Sequence, residues 1–214
     1  MKTILAYGDS LTWGYNPETG LRHDFFDRWP NVVAKALGHG VRVISEALNG
    51  RTTAFDDHTV MADRNGARVL PTLLASHQPL DLVVVMLGTN DLKRHIGGGR
   101  VFDSRQGLER LVEIVRTFPY QRGYEPPKLL LVAPPMFCET TEPDFALLFG
   151  HAVEESQHFR SAVTKVAEEY GCAMFDASEV CETSPLDGVH LDAENTRRLG
   201  EALVEPIRAL LEGH

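Results

Sequence analysis

Short apolar segments alternate with longer segments of helical periodicity along almost the whole chain of 214 residues. The apolar segments are rich in Val, Ile and Leu and end at Gly, Pro, Asp or Asn, which is typical of strands buried on both faces of a sheet. Because parallel strands are joined by helical crossovers, the alternation predicts an α/β fold over one domain, residues 1–214, a three-layer α/β/α sandwich around a five-stranded parallel sheet. The predicted strands are residues 4–7, 41–44, 80–86, 128–133 and 173–175.

The segments between the strands predict helices over about residues 29–37, 66–76, 104–118, 149–170 and 192–212. The last of these is the best defined. Asp192 is placed to cap its N-terminus. Its apolar face is formed by Leu199, Leu203, Ile207 and Leu210.

The charge balance excludes several classes of partner. A formal net charge of −9 and the lack of a Lys/Arg cluster argue against nucleic acid, because binding to phosphates needs clustered cations. No apolar stretch is long enough to span a bilayer, and no basic amphipathic helix suggests a membrane surface. We therefore expect small neutral molecules as partners.

The cysteines and the first residues favour a cytoplasmic protein. Cys138, Cys172 and Cys181 are odd in number and lack CxxC spacing, which predicts reduced thiols. The apolar run near Met1 is too short for a signal peptide. The acidic segment 56–58 and the pair His151 and Glu154 lack the ligand sets of known metal motifs, so we expect solvated surface there, no metal and no cofactor.

Four predicted strand ends carry polar residues suited to one kind of chemistry. In open parallel sheets ligands bind outside the carboxyl ends of the strands, so these residues should share one rim. The segments are Gly8-Asp9-Ser10-Leu11, Leu48-Asn49-Gly50-Arg51, Gly88-Thr89-Asn90-Asp91 and Asp187-Gly188-Val189-His190.

Acyl transfer to a hydroxyl needs these residue types. A serine such as Ser10 must lose its proton to a base as it attacks, and His190 is the candidate base. Asp187, three residues earlier, is placed to orient the imidazole. The oxyanion would then be held by the backbone N–H groups of Ser10 and Gly50 and by the side-chain amide of Asn90. We expect Asp9 and Asp91 to organise their turns, and Asp192 is a rival for the role of Asp187.

Together these four blocks, in this order, resemble the GDSL or SGNH hydrolase family, and the match spans nearly the whole chain. Within the family, residues 8–14, 51–53, 79–82 and 86–91 are similar to a bacterial arylesterase/acyltransferase branch. The resemblance implies a flavodoxin-like SGNH hydrolase fold. It also implies a serine esterase for short-chain and aryl esters, with acyl transfer to alcohols or peroxide, and a homo-oligomer, an octamer in some relatives. Its implied substrate-binding residues are Leu11, Trp13, Tyr15, Lys93, Phe145, Phe149 and Val189.

Other interpretations remain open at this stage. The same triad would serve a carbohydrate acetylesterase, a thioesterase or a lysophospholipase. A catalytically silent oligomeric binding module is the alternative outside enzymes, although no block residue is replaced. The aromatic residues could instead belong to the core or an interface, and Lys93 could be a solvated charge.

Overall fold

Five parallel strands form one sheet in the computed structural model, which describes residues 1–213. The strands are β1 Lys2–Gly8, β2 Val41–Ala47, β3 Leu82–Met86, β4 Lys128–Ala133 and β5 Ala173–Asp176. Their order in the sheet is β2-β1-β3-β4-β5, and every neighbouring pair is parallel, which confirms the predicted sheet.

Helices follow the strands on both sides of the sheet. Within residues 1–213, none of them combines the length and the apolar character needed to cross a bilayer. Their bounds are α1 Ser10–Trp13, α2 Trp29–Leu37, α3 Gly66–His77, α4 Val101–Thr117, α5 Pro143–Phe149, α6 Val153–Ser156, α7 Phe159–Tyr170 and α8 Ala193–Glu212.

Two apolar clusters make the structure a three-layer sandwich. Side chains alternate across each strand, so Leu5 and Tyr7 of β1 face one layer and Ile4 and Ala6 face the other. Helices α3, α4 and α7 pack in the cluster with Leu5, whereas α2 and α8 pack in the cluster with Ile4. Burial on both faces explains why the central strands are almost wholly apolar.

Helix α8 confirms the prediction made for the end of the chain. Asp192 caps it, with Oδ1 accepting a hydrogen bond of 2.7 Å from the N–H of Asn195. Leu199, Leu203 and Ile207 are fully buried in the cluster that α8 shares with α2. The helix therefore closes one face of the sheet.

The predicted single helix over residues 149–170 is wrong. The chain there forms a 3-10 turn at Gly150–Ala152 and then two helices, α6 and α7. Ser156 ends α6: its Oγ donates to the carbonyl of Val153 at 2.7 Å and accepts from the N–H of Phe137 at 2.9 Å. A serine side chain that bonds to nearby backbone in this way competes with the helix.

A crevice opens where the chain changes direction across the sheet. From β1 the chain crosses to β2 on one side and then to β3 on the other. The crossovers after β1 and β3 therefore diverge at the carboxyl edge, next to Gly8 and Met86, which are paired in register. This reversal of strand order is where flavodoxin-like sheets bind ligands.

Candidate active site

Ser10 lies in this crevice, two residues after the last residue of β1. The turn is tight, because a Cβ on Gly8 would lie 2.0 Å from Thr12 Oγ1. Asp9 caps α1, and its Oδ1 accepts a hydrogen bond of 3.0 Å from the N–H of Leu11. The local sequence thus fixes the position of the Ser10 hydroxyl.

Ser10, His190 and Asp187 form a continuous hydrogen-bonded series. Ser10 Oγ lies 2.8 Å from His190 Nε2, and His190 Nδ1 lies 2.7 Å from Asp187 Oδ2. Asp187 Oδ1 accepts from the N–H groups of Val189 and His190 at 3.0 and 2.9 Å. Burial raises the pKa of Asp187, but the hydrogen bonds and charge of His190 outweigh it and hold this pKa below its usual value. The carboxylate is therefore charged and faces the imidazole.

Gly50 and Asn90 bring hydrogen-bond donors to the same pocket as Ser10. Gly50 has φ 81°, a left-handed conformation that glycine adopts without strain, and its N–H has no acceptor among residues 1–213. Asn90 follows β3, and its Nδ2 donates to Asp9 Oδ2 at 3.2 Å and to the carbonyl of Arg51 at 3.1 Å. These two bonds fix the plane of the amide beside the serine.

Two buried carboxylates hold the site loops together. Asp91 accepts from the N–H and the Oγ1 of Thr53 at 2.9 and 2.7 Å, which joins the loop after β3 to the loop after β2. Asp9 joins Asn90 to the turn after β1. Burial raises the pKa of Asp9 to about 7 and that of Asp91 to about 6. Both residues organise turns, as predicted.

A small pocket of about 170 Å³ opens above Ser10. Its wall on the histidine side is aromatic: the ring centroid of Tyr15 lies 4.2 Å from that of His190, and the centroid of Phe145 lies 5.6 Å away. A cavity of about 150 Å³ accommodates a benzene-sized molecule, so this volume suits a short acyl or single-ring group.

Five of the seven predicted substrate-binding residues line this pocket and two do not. The five are Tyr15, Lys93, Phe145, Phe149 and Val189. Leu11 packs instead in the core cluster below the site. Trp13 carries the guanidinium of Arg22 over its ring, 4.7 Å from the centroid. Leu11 is rotated by about 100° from Ser10 around α1, and neither Leu11 nor Trp13 lines the pocket.

Sequence reasoning missed three other wall residues, Asn49, Arg64 and Leu148. Leu148 lies three residues after Phe145 on α5, and a predicted helix there would have placed both on one face. The cap Glu142 and the following proline signal that helix. Arg64 comes from an irregular loop, where no periodicity indicates which way a side chain points.

The acidic segment 56–58 is only partly the solvated surface that was predicted. Asp56 is exposed and pairs with Arg68, but the Asp57 side chain is fully buried and pairs with Arg64. Within residues 1–213, no group of three or more His, Cys, Asp or Glu side chains is placed to hold a metal ion.

The flavodoxin-like sheet and the serine–imidazole–carboxylate series in its crevice define the class of the protein as a hydrolase. Comparison with known proteins gives the family. The model of the GDSL-like lipase/acylhydrolase family matches residues 6–198, and the chain belongs to this family, whose chemistry makes it an esterase.

Solved structures of bacterial esterases are similar to this chain over its whole length. A carbohydrate acetylesterase family member from Sinorhizobium meliloti is 51% identical, with 99% of each chain covered and a TM-score of 0.96. A second carbohydrate acetylesterase from Sinorhizobium meliloti is 38% identical, with 98% of this chain and 100% of that chain covered and a TM-score of 0.93. The aryl esterase of M. smegmatis is 40% identical, with 98% and 100% covered and a TM-score of 0.91. Comparison with curated protein sequences gave no match.

Proposed function

We propose that this esterase hydrolyses short-chain and aryl carboxylic esters through an acyl-serine intermediate on Ser10. The observation that carries the proposal is the series of two hydrogen bonds, 2.8 and 2.7 Å, from the serine hydroxyl through His190 to Asp187. A serine hydroxyl is a weak nucleophile until a neighbouring imidazole removes its proton.

The first half of the reaction forms the acyl-serine. Ser10 Oγ attacks the ester carbonyl as its proton passes to His190 Nε2, and the oxyanion receives hydrogen bonds from the N–H groups of Ser10 and Gly50. Asn90 Nδ2 becomes the third donor when it exchanges one of its two acceptors, Asp9 Oδ2 or the Arg51 carbonyl, for the oxyanion. Asp187 stabilises the imidazolium that forms. Collapse of the tetrahedral intermediate breaks the bond to the alcohol, which leaves with the proton from His190.

The second half releases the acyl group. Water attacks the acyl-serine, gives its proton to His190, and the carboxylic acid leaves as Ser10 recovers its proton. An alcohol or a peroxide in place of water would give acyl transfer, which we propose as a side reaction. The balance between hydrolysis and acyl transfer can be measured as the ratio of free acid to product ester at increasing alcohol concentration.

The pocket and the similar structures support short acyl and aryl groups. A volume of about 170 Å³ suits a short acyl group better than the long chain of a lysophospholipid. Aromatic rings next to His190, the residue that protonates the leaving alcohol, suit an aryl alcohol. An acetylated sugar is the second candidate, because the 51% identical structure is that of a carbohydrate acetylesterase family member.

Replacement of the serine tests the proposal. In Ser10→Ala the turnover of 4-nitrophenyl acetate should fall by roughly 10³-fold or more, with an unchanged circular dichroism spectrum. The control Ser161→Ala, an exposed serine on α7, should keep full activity. A fluorophosphonate should label Ser10 of the unmodified protein stoichiometrically. Unlabelled folded protein would instead support a silent binding module, and faster turnover of octanoyl than of acetyl esters would refute the short-chain claim.

We also propose a homo-oligomer in a reducing compartment such as the cytoplasm. Phe25 and Phe26 are 58% and 68% exposed in one short segment, and contiguous exposed apolar side chains often mark interfaces. The three cysteines are unbridged. Light scattering on a sizing column tests the assembly, and the mass of a single chain would refute it.

A further inference from the structure

The wall of the pocket above Ser10 contains two cationic side chains in addition to its aromatic ones. Arg64 and Lys93 both line it, and none of the residues that line it is Asp or Glu. Their side chains are only 17% and 7% exposed. Lysine and arginine are almost never so buried unless they are paired, so the charges they face matter.

One carboxylate serves both cations. Asp57 Oδ2 accepts from Arg64 Nη1 at 2.7 Å and from Lys93 Nζ at 3.3 Å, and the Asp57 side chain is fully buried. The other oxygen, Oδ1, accepts from the N–H and the hydroxyl of Thr59. Two positive charges against one negative charge leave the wall with an excess of one positive charge.

Arg64 also keeps a free donor beside the oxyanion site. Its Nε donates to the carbonyl of Asn49 and its Nη1 is taken by Asp57, but Nη2 has no acceptor among residues 1–213. The guanidinium lies directly on Gly50, where a Cβ would be 2.4 Å from Arg64 Cζ. The glycine is therefore needed both for its positive φ and for the approach of this cation.

The remaining nearby acids do not neutralise the wall. Asp187 is engaged by His190, and Asp9 is buried beneath Asn90, where burial raises its pKa to about 7 and so disfavours its charged form. Burial and the charge of Arg64 lower the pKa of Lys93. Burial is the larger of these two causes.

We propose that Arg64 and Lys93 form an anion subsite that binds a carboxylate carried by the ester substrate. The proposal rests on the esterase function proposed above and makes small anionic esters its preferred substrates. Asn90 and Gly50, next to these cations, hold the carbonyl oxygen, whereas the alcohol leaves towards His190 and the aromatic wall. The geometry therefore puts the carboxylate on the acyl group, as in a monoester of a short dicarboxylic acid.

Two matched pairs of esters test the subsite. Monoethyl succinate and ethyl succinamate have the same shape, but only the first carries a charge on its acyl group. The esters 3-acetoxybenzoate and 3-acetoxybenzamide place the same difference on the alcohol group. The measured quantity is the ratio of kcat/KM for the charged ester to that for the neutral ester in each pair.

We expect the succinate pair to show a ratio of about ten or more, since one charge-assisted hydrogen bond contributes at least tenfold in binding. Lys93→Met and Arg64→Gln should each lower this ratio about tenfold, and Lys93→Arg should retain it. Each single variant leaves Asp57 with one cationic partner, which protects the fold. The control Lys165→Met removes an exposed positive charge from α7 and should leave the ratio unchanged.

Each result decides the proposal. Ratios near one for the unmodified protein, or ratios that neither variant lowers, would overturn the anion subsite. A preference confined to the benzoate pair would overturn its placement on the acyl side. If the neutral esters are hydrolysed and Ser10 is labelled without any preference for charge, only the subsite fails. If the neutral esters are not hydrolysed and Ser10 is not labelled, the esterase mechanism itself fails.

Discussion

Asp187 uses both carboxylate oxygens at the site, and each has a different task. Oδ1 accepts backbone N–H groups from the turn that carries His190, and Oδ2 accepts from the imidazole. A carboxylate can do both because it has no hydrogen to donate. An amide would satisfy the backbone but present an N–H to the ring.

Asp187→Asn should therefore lose activity without unfolding. Its amide would have to donate to His190 Nδ1, so the proton of the ring would move to Nε2, which then could not accept from Ser10. We expect kcat for 4-nitrophenyl acetate to fall by roughly 10³- to 10⁴-fold. Asp192→Asn is the matched control, because asparagine caps a helix as well as aspartate does. Equal activities of the two variants would remove Asp187 from the mechanism.

The sequence predicted some site residues better than others. It was more successful for residues whose position is set by the end of a strand than for residues whose side chains form the pocket wall. Ser10, Gly50 and Asn90 each follow a strand end closely, and parallel strands bring such ends together. His190 lies well beyond the end of β5, and its spacing from Asp187 is what indicated it. Arg64 depends on the path of an irregular loop, and Leu11 on the direction in which a single helical turn points it. These directions are set by tertiary packing, which a local pattern does not encode.

At the scale of elements, the closest packing of helices α2 and α8 depends on a missing side chain. A Cβ on Gly200 would lie 2.6 Å from the Cβ of Val32 and 2.9 Å from the carbonyl oxygen of Trp29. The sequence predicted both helices from their apolar periodicity. It did not predict how near they approach, because periodicity gives a face and not a distance.

Gly200→Ala should destabilise the protein although alanine favours helix. The gain in helix propensity is about 1 kcal/mol, whereas overpacking against backbone costs about 1–3 kcal/mol. The matched control is Gly150→Ala, where φ is −55° and nothing lies within 4 Å of the added Cβ. In urea unfolding, the free energy of unfolding should be lower for Gly200→Ala than for the unmodified protein. For Gly150→Ala it should be equal or higher. A stabilised Gly200→Ala would show that the helices can move apart freely.

At the scale of the whole molecule, a fully buried carboxyl group makes stability depend on pH. Burial raises the pKa of Asp91 to about 6 from its usual 3.8. Between these values the folded protein holds the proton that the unfolded chain releases, so the free energy of unfolding falls as pH rises. A difference of about two pH units between the folded and unfolded pKa values corresponds to about 3 kcal/mol in the free energy of unfolding.

Asp91→Asn should abolish this contribution. Its amide can accept from the N–H of Thr53 and donate to the Thr53 hydroxyl, so both bonds survive. The free energy of unfolding, measured with urea, should rise by about 3 kcal/mol in the variant relative to the unmodified protein between pH 4 and pH 7. Asp144→Asn, at an exposed position on α5, should give a curve parallel to that of the unmodified protein. A parallel curve for Asp91→Asn would contradict the assignment.

Ser10 and the imidazole that touches it are separated by 180 positions along the chain. The ribosome synthesises this serine 180 residues before the histidine, so a nascent chain carries the hydroxyl without its proposed base while all the later strands are made. In the proposed mechanism, turnover begins only when the turn that carries His190 has docked beside Ser10. Turnover would then report completed folding, and a chain truncated before residue 190 should not react with esters in the cell.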